Sequence, residues 1–204
     1  MMVSIDPRKQ SERDNYKLLT GSIVPRPVAW VTTLAGNGKV NAAPFSYFNI
    51  VTADPPMISV SVQRKEGIPK DTARNAVRES EFVVHIGDEL SVGKLNVTAA
   101  SLPPDESELE LAGLTAVRSD GVRVPGIAEA KIRMECVLEQ ALPLGGKPGS
   151  PAADLLIGRV VRFHIDDGLL DQGRILAEAL KPVSRLAGSH YAKLGETFSL
   201  ERPK

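Results

Sequence analysis

Alternation of apolar and polar positions dominates the chain. Within Met57 to Arg64, Ile58, Val60 and Val62 fall on one face and Ser59, Ser61 and Gln63 on the other, the period of a half-buried strand. Lys131 to Leu142 repeats the pattern, with Ile132, Met134, Cys136 and Leu138 opposite Lys131, Arg133, Glu135 and Val137. Leu155 to Asp166 carries Ile157, Val161, Phe163 and Ile165 on its apolar side, and Phe82 to Ile86 is a short apolar strand. Pro27 to Thr33 is β-branched and aromatic; the turn Ala35-Gly36-Asn37-Gly38 follows, and Val40 to Pro44 returns as a hairpin partner. Helix signals fall on Asp71 to Ser80, capped by Asp71 or Thr72, and on Ser91 to Ala100, Glu106 to Leu111 and Asp171 to Leu180. A breaker is expected at Asp54-Pro55-Pro56, and loops over Leu142 to Pro151 and over Leu186 to Tyr191. Hairpins outnumber βαβ signals, so the pattern predicts a mainly β protein, an antiparallel β-barrel with peripheral helices. One domain over 1–204 is expected, residues 1–14 forming a flexible N-terminal arm.

Composition narrows the partners. Lys+Arg and Asp+Glu are equal at 25 each, so no global field draws the chain to nucleic acid or to an anionic membrane. A local patch of one sign can still serve a small charged ligand. The single Cys136 excludes an intramolecular disulfide and a zinc site of several thiolates. His85, His164 and His190 lack metal-ligand spacing, so no metal site is expected. The polar N-terminus lacks a signal-peptide core, and no apolar run approaches the roughly 20 residues that span a bilayer. A cytoplasmic protein is expected.

No glycine-rich dinucleotide fingerprint, phosphate loop, His-Glu-x-x-His or Gly-x-Ser-x-Gly motif is present. Two clusters remain. Ser61, Arg64, Lys70 and Thr72 follow a hydroxyl-bearing strand and lead into a helix start, where free N–H groups and a partial positive charge suit a phosphate. Solvated charges beside a capped helix account for the same residues. Asn41 to Asn49 offers small residues for a flat ligand and polar groups for a heteroaromatic edge; aromatics plugging the barrel are the alternative.

These clusters occur in an order that resembles the flavin-reductase-like, FMN-binding split-barrel flavoproteins, over roughly Asn15 to Ala192. The resemblance rests on the run from Tyr16 to Thr33 with Ile23-Val24-Pro25-Arg26-Pro27, on Asn41-Ala42-Ala43-Pro44-Phe45-Ser46-Tyr47-Phe48-Asn49, on Asp54-Pro55-Pro56, on Lys70-Asp71-Thr72-Ala73-Arg74-Asn75, and on the closing Arg185-Leu186-Ala187-Gly188-Ser189-His190-Tyr191. It implies a six-stranded antiparallel split barrel, a homodimer, and FMN near the subunit interface. It places Phe45, Ser46, Tyr47, Phe48 and Asn49 at the flavin ring with Arg26 and Pro27 on the neighbouring wall. Ser61, Arg64, Lys70, Asp71 and Thr72 fall at the phosphate end, and Tyr191 at the closing motif. His190 is the candidate for a direct catalytic role.

The implied activity is hydride transfer from NADH or NADPH to flavin, with reduced flavin passed to a partner monooxygenase. An FMN-bound electron carrier served by a protein partner is the alternative, and a non-redox small-ligand binder a third reading. The segment Gly145-Gly146-Lys147-Pro148-Gly149-Ser150-Pro151 matches no motif and reads as a variable loop or a cover for the ring.

Overall fold

The alternating segments become the strands of a computed structural model that describes residues 1–103 and 106–203. The strands are β1 Arg26–Pro27, β2 Ala29–Leu34, β3 Val40–Phe45, β4 Phe48–Ala53, β5 Pro56–Gln63, β6 Glu81–Ile86, β7 Ala116–Val117, β8 Gly126–Ile127, β9 Ile132–Leu144, β10 Ala153–Ile165, β11 Leu170–Asp171, β12 Arg174–Ile175, β13 Val183–Arg185 and β14 Tyr191–Lys193. The α-helices are α1 Glu12–Ser22, α2 Asp71–Glu79, α3 Val92–Val97, α4 Glu108–Leu111 and α5 Ala177–Leu180.

Seven strands pair in the order β3-β2-β6-β9-β10-β5-β4, one more than the six expected. Every pairing is antiparallel. The two terminal strands of that order, β3 and β4, are joined through Ser46 and Tyr47 alone, so the sheet must curl back on itself. The Ser61 amide on β5 donates to the Tyr47 carbonyl at 2.8 Å, carrying the β4–β5 pairing up to that connection. Curling gathers Val31, Phe45, Val60, Val62, Phe82, Val84, Cys136 and Leu156 into one buried cluster, to which α2 adds Ala73 and Ala76. The period-two pattern thus fills a barrel interior. Register slips in the long β9–β10 hairpin at Ile157/Gly158 and Val160/Arg162 bend it into the wall. Gly158 is required there, because a Cβ would lie 2.3 Å from Phe82 Cζ.

Outside the barrel, Val28, Trp30, Ala42, Leu95, Leu109 and Ile127 form a second cluster under α3 and α4. Trp30 is fully buried, and its indole N–H donates to Thr98 Oγ1 at 2.9 Å, fixing the segment that follows α3. The small sheet β1-β13-β14 brings the C-terminal motif back beside Arg26. Among the described residues no helix is long and apolar enough to cross a membrane.

Four local expectations change. The stretch expected as an arm to residue 14 enters α1 at Glu12, since Ser11 caps the helix by accepting from the Asp14 amide at 3.1 Å. The α2 cap is Lys70 rather than Asp71 or Thr72, and Lys70 supplies no side-chain capping bond. The inward side of β10 is the other one: Leu156 and Val160 are buried, whereas Val161 and Phe163, expected on the apolar side, are exposed. Asp171 to Leu180 is not one helix: Gln172 and Gly173, both at positive φ, turn β11 into β12 before the short α5.

Candidate functional site

Two adjoining clefts of about 320 Å³ and 530 Å³ open beside the β3–β4 seam and share Pro44, Phe45, Lys70 and Ala99. These volumes suit a small organic ligand. The smaller is walled by Arg26, Phe45, Ser46, Tyr47, Ser61, Arg185 and Tyr191, with Tyr16 and Thr20 from α1. Tyr16 and Thr20 lie four residues apart, so one helix face presents both. The larger runs from Lys70, Asp71 and Thr72 past Ala99 to Glu108.

A polar network fixes the start of α2. Asn41 Oδ1 accepts from Thr72 Oγ1 at 3.1 Å and from Thr33 Oγ1 at 3.2 Å. Asn41 Nδ2 and the Ala42 amide donate to the buried Glu108 carboxylate at 2.9 and 3.2 Å. Because Lys70 provides no side-chain cap, the first N–H groups of α2 are left without a protein partner among the described residues. An anion beside Lys70 would meet these groups and the positive end of the helix.

The electrostatics of the smaller cleft are one-sided. Arg26, Lys70 and Arg185 line it, no carboxylate does, and among the described residues none of the three joins an ion pair. Arg26 is buried, donating only to backbone carbonyls: Thr20 at 2.8 Å, Ile23 at 2.5 Å and Leu186 at 2.9 Å. Two of these carbonyls lie in or just beyond the last turn of α1, where a cation is favoured. The Arg26 Nε–H has no partner among the described residues. Arg185 donates to the Tyr191 hydroxyl at 2.7 Å and lies 4.7 Å from the centre of that ring. Burial, with Tyr16 nearby, pushes the Tyr47 phenol above its ordinary range, so Tyr47 stays a neutral donor.

Of the residues singled out from sequence, Arg26, Phe45, Ser46, Tyr47, Ser61, Lys70 and Tyr191 line the smaller cleft, and Asp71 and Thr72 the larger. Others are not brought there. Phe48 packs against the barrel core, Asn49 is exposed on β4, and Pro27 is exposed beside Arg26. Arg64 forms a two-pronged pair with Asp154, at 2.9 and 2.6 Å, and donates to the Gly67 carbonyl at 3.1 Å. Its charge is satisfied inside the fold, and it lines neither cleft. His190 is exposed on the turn before β14 and lines neither cleft; neighbouring residues of an extended chain face opposite ways, and Tyr191 takes the inward side. The loop of residues 145–151 also lines neither cleft. Tyr16, Thr20, Gln63 and Arg185 were not singled out. A capping signal at Ser11 and the 16/20 spacing could have revealed the α1 pair; Arg185 needed the β1–β13 pairing.

The chain is a mainly β split barrel whose smaller cleft is lined by cations and aromatic rings. The model of the flavin reductase like domain matches residues 20–180, and the chain belongs to that family of flavin-binding oxidoreductases. YwrF of Bacillus subtilis is 57% identical over 95% of each chain. The crystal structure of nitrilotriacetate monooxygenase component B from Bacillus cereus is 65% identical, covers 98% of this chain and 99% of its own, and superposes with a TM-score of 0.97. That of 2-nitrobenzoate 2-nitroreductase from Pseudomonas fluorescens is 29% identical, covers 98% and 96%, and gives 0.88.

Proposed function

We propose that the protein binds FMN and transfers a hydride to it from NADH or NADPH, supplying reduced flavin to a partner monooxygenase. The observation that carries this reading is the paired cleft itself: unpaired cations and aromatic walls at one end, uncapped helix N–H groups beside Lys70 at the other. Bound FMN would supply the redox chemistry, accepting a hydride from the nicotinamide.

The chain's own residues do the rest. Lys70 and the first amides of α2 hold the phosphate. Thr72, tied to Asn41, fixes the helix in place, and Ser61 adds a hydroxyl. Phe45, Ser46 and Tyr47 border the ring, where the neutral Tyr47 phenol can donate a hydrogen bond. Tyr191 and Arg185 close the far wall. The likeness to a protein described as component B of a monooxygenase supports a role beside an oxygenase partner.

A homodimer belongs to the same reading. Strand β4 ends the seven-stranded order yet presents Ile50, 76% exposed, and Val51 to solvent. An apolar edge of this kind is a template for association, and a second copy would cover it. Sedimentation at micromolar concentration should give twice the 21.9 kDa chain mass.

The test is an absorbance spectrum of the purified protein with FMN, repeated anaerobically after adding NADH or NADPH. Flavin bands that bleach faster than free FMN support the proposal. Bands that persist until a protein reductase is added would replace it with the electron-carrier reading.

A further inference from the structure

Arg26 on β1 and Arg185 on β13 are direct partners in the antiparallel register. Like charges placed opposite each other across two strands repel, and burial strengthens the repulsion. Arg26 is 6% exposed and Arg185 is half-buried, both line the smaller cleft, and neither has a carboxylate partner among the described residues. Backbone carbonyls and the Tyr191 hydroxyl orient the two guanidinium groups but leave both net charges in place. Cations elsewhere in the fold are treated differently: Arg64 is closed by Asp154, Lys131 by Asp88 and Arg123 by Glu79. A like-charged pair kept against a cleft is explained by a ligand that brings negative charge to it.

Lys70 and the start of α2 already account for one anionic group at the seam between the clefts. The arginine pair is a separate element, on the β1–β13 sheet. We infer that Arg26 and Arg185 form an anion subsite for the pyrimidine edge of reduced flavin, so that the protein favours the reduced over the oxidised ligand. This inference rests on FMN being the ligand. Two electrons and one proton added to the neutral oxidised ring leave it with one negative charge, spread over the N1 and C2-carbonyl edge; oxidised flavin carries none there. The phosphate is the same in both states, so Lys70 cannot discriminate between them. Groups beside the ring can, and a full positive charge there does so more strongly than a neutral donor such as Tyr47.

Arg26 also secures the end of α1, so the test uses Arg185. Potentiometric titration of bound FMN is compared for the wild type, Arg185→Gln and Arg185→Lys, with oxidised FMN and riboflavin affinities measured by fluorescence quenching. Loss of one charge-assisted contact should cost Arg185→Gln roughly tenfold in its preference for reduced flavin. For a two-electron couple this lowers the potential by about 30 mV. Arg185→Lys should retain most of the preference, and riboflavin should show the same drop as FMN. The wild type gives a readout that needs no variant: its reduced bound flavin should keep the anionic spectrum at a pH where free reduced FMN is half protonated.

An unshifted potential in Arg185→Gln with FMN bound overturns the inference and leaves the FMN reading standing. A protonated reduced flavin in the wild type does the same. Arg185→Gln weakening oxidised FMN far more than oxidised riboflavin would place Arg185 on the phosphate instead, also overturning it. Wild-type protein that binds neither flavin removes the FMN reading and this inference together.

Discussion

The barrel wall and the cleft treat buried polar groups in opposite ways. On the wall, His85 is fully buried and both its ring nitrogens are engaged, Nδ1 with the Trp30 carbonyl at 2.8 Å and Nε2 with the Ile127 amide at 2.9 Å. Glu135, equally buried, accepts from the Asp120 amide at 2.8 Å, the Gly121 amide at 2.5 Å and His164 Nε2 at 2.5 Å. In the cleft, Arg26, Lys70 and Arg185 keep unmatched charge, and the first amides of α2 keep unmatched donors. A fold that satisfies its polar groups on one side is able to do so on the other. The surplus in the cleft is therefore the mark of a site.

The largest effect should come from breaking the matched side. Glu135→Ala removes the acceptor of two backbone amides and of His164, leaving the 119–124 segment without its anchor. We expect a loss of about 3 kcal/mol or more in urea unfolding, with flavin binding by the remaining folded fraction unchanged. A loss below 1 kcal/mol would show that water replaces the carboxylate and that the wall is less closed than the bond lengths imply.

Protonation should break the same wall more selectively. Burial pushes His85 down from 6.5 to about 4, so between these values the unfolded chain binds a proton that the folded chain does not. Stability should therefore fall as pH drops from 6.5 toward 4. Glu135 behaves differently: burial raises its pKa, but bonds from Asp120, His164 and Gly121 outweigh this and set it below the ordinary value of 4.5. Its contribution is intact above 4.5 and is lost only below. His85 should dominate the interval from pH 6.5 to 4.5, and about 2 kcal/mol should disappear across it. His85→Gln should flatten that slope; an equal slope in the variant would assign the titration to another group.

On the cleft side the effect is smaller and confined to the ligand. Lys70 is exposed, so its contact with phosphate should sit at the low end for a charge-assisted bond, about 1.5 kcal/mol, or roughly tenfold in Kd for FMN. Lys70→Ala should leave riboflavin affinity and stability unchanged. Equal losses for both flavins would place the phosphate elsewhere.

How much of this was legible depends on the range of the signal. Alternation at Ile58, Val60 and Val62 or at Met134 and Cys136 is local, and it placed the barrel strands correctly. The α1 helix was announced by Ser11 and Asp14, a signal easily read as a polar arm because Leu18, Leu19 and Ile23 remain exposed. Lys70 and Thr72 sit at a helix start visible in the sequence. Arg185 was not legible as a charge partner of Arg26, because the two stand 159 positions apart and only strand pairing makes them neighbours. Arg64 was misleading for the same reason: its partner Asp154 lies on β10, across the sheet.

Arg64 and Lys70 provide the sharpest form of the comparison, since they stand six positions apart and carry the same charge. If surplus charge marks the site, the matched cation should matter to the fold and not to the ligand. Arg64→Ala leaves Asp154 without its guanidinium and frees the Gly67 turn, so Tm should fall by several degrees. The ratio of FMN to riboflavin affinity should stay within about twofold of wild type, because a charge held by a carboxylate at 2.6 Å presents little net field to a phosphate. Arg64→Lys should recover part of the Tm but not the two-pronged geometry. A tenfold fall in that ratio at unchanged Tm would mean that Arg64 leaves Asp154 for the phosphate when FMN binds, and the division between matched wall and open cleft would have to be redrawn around it.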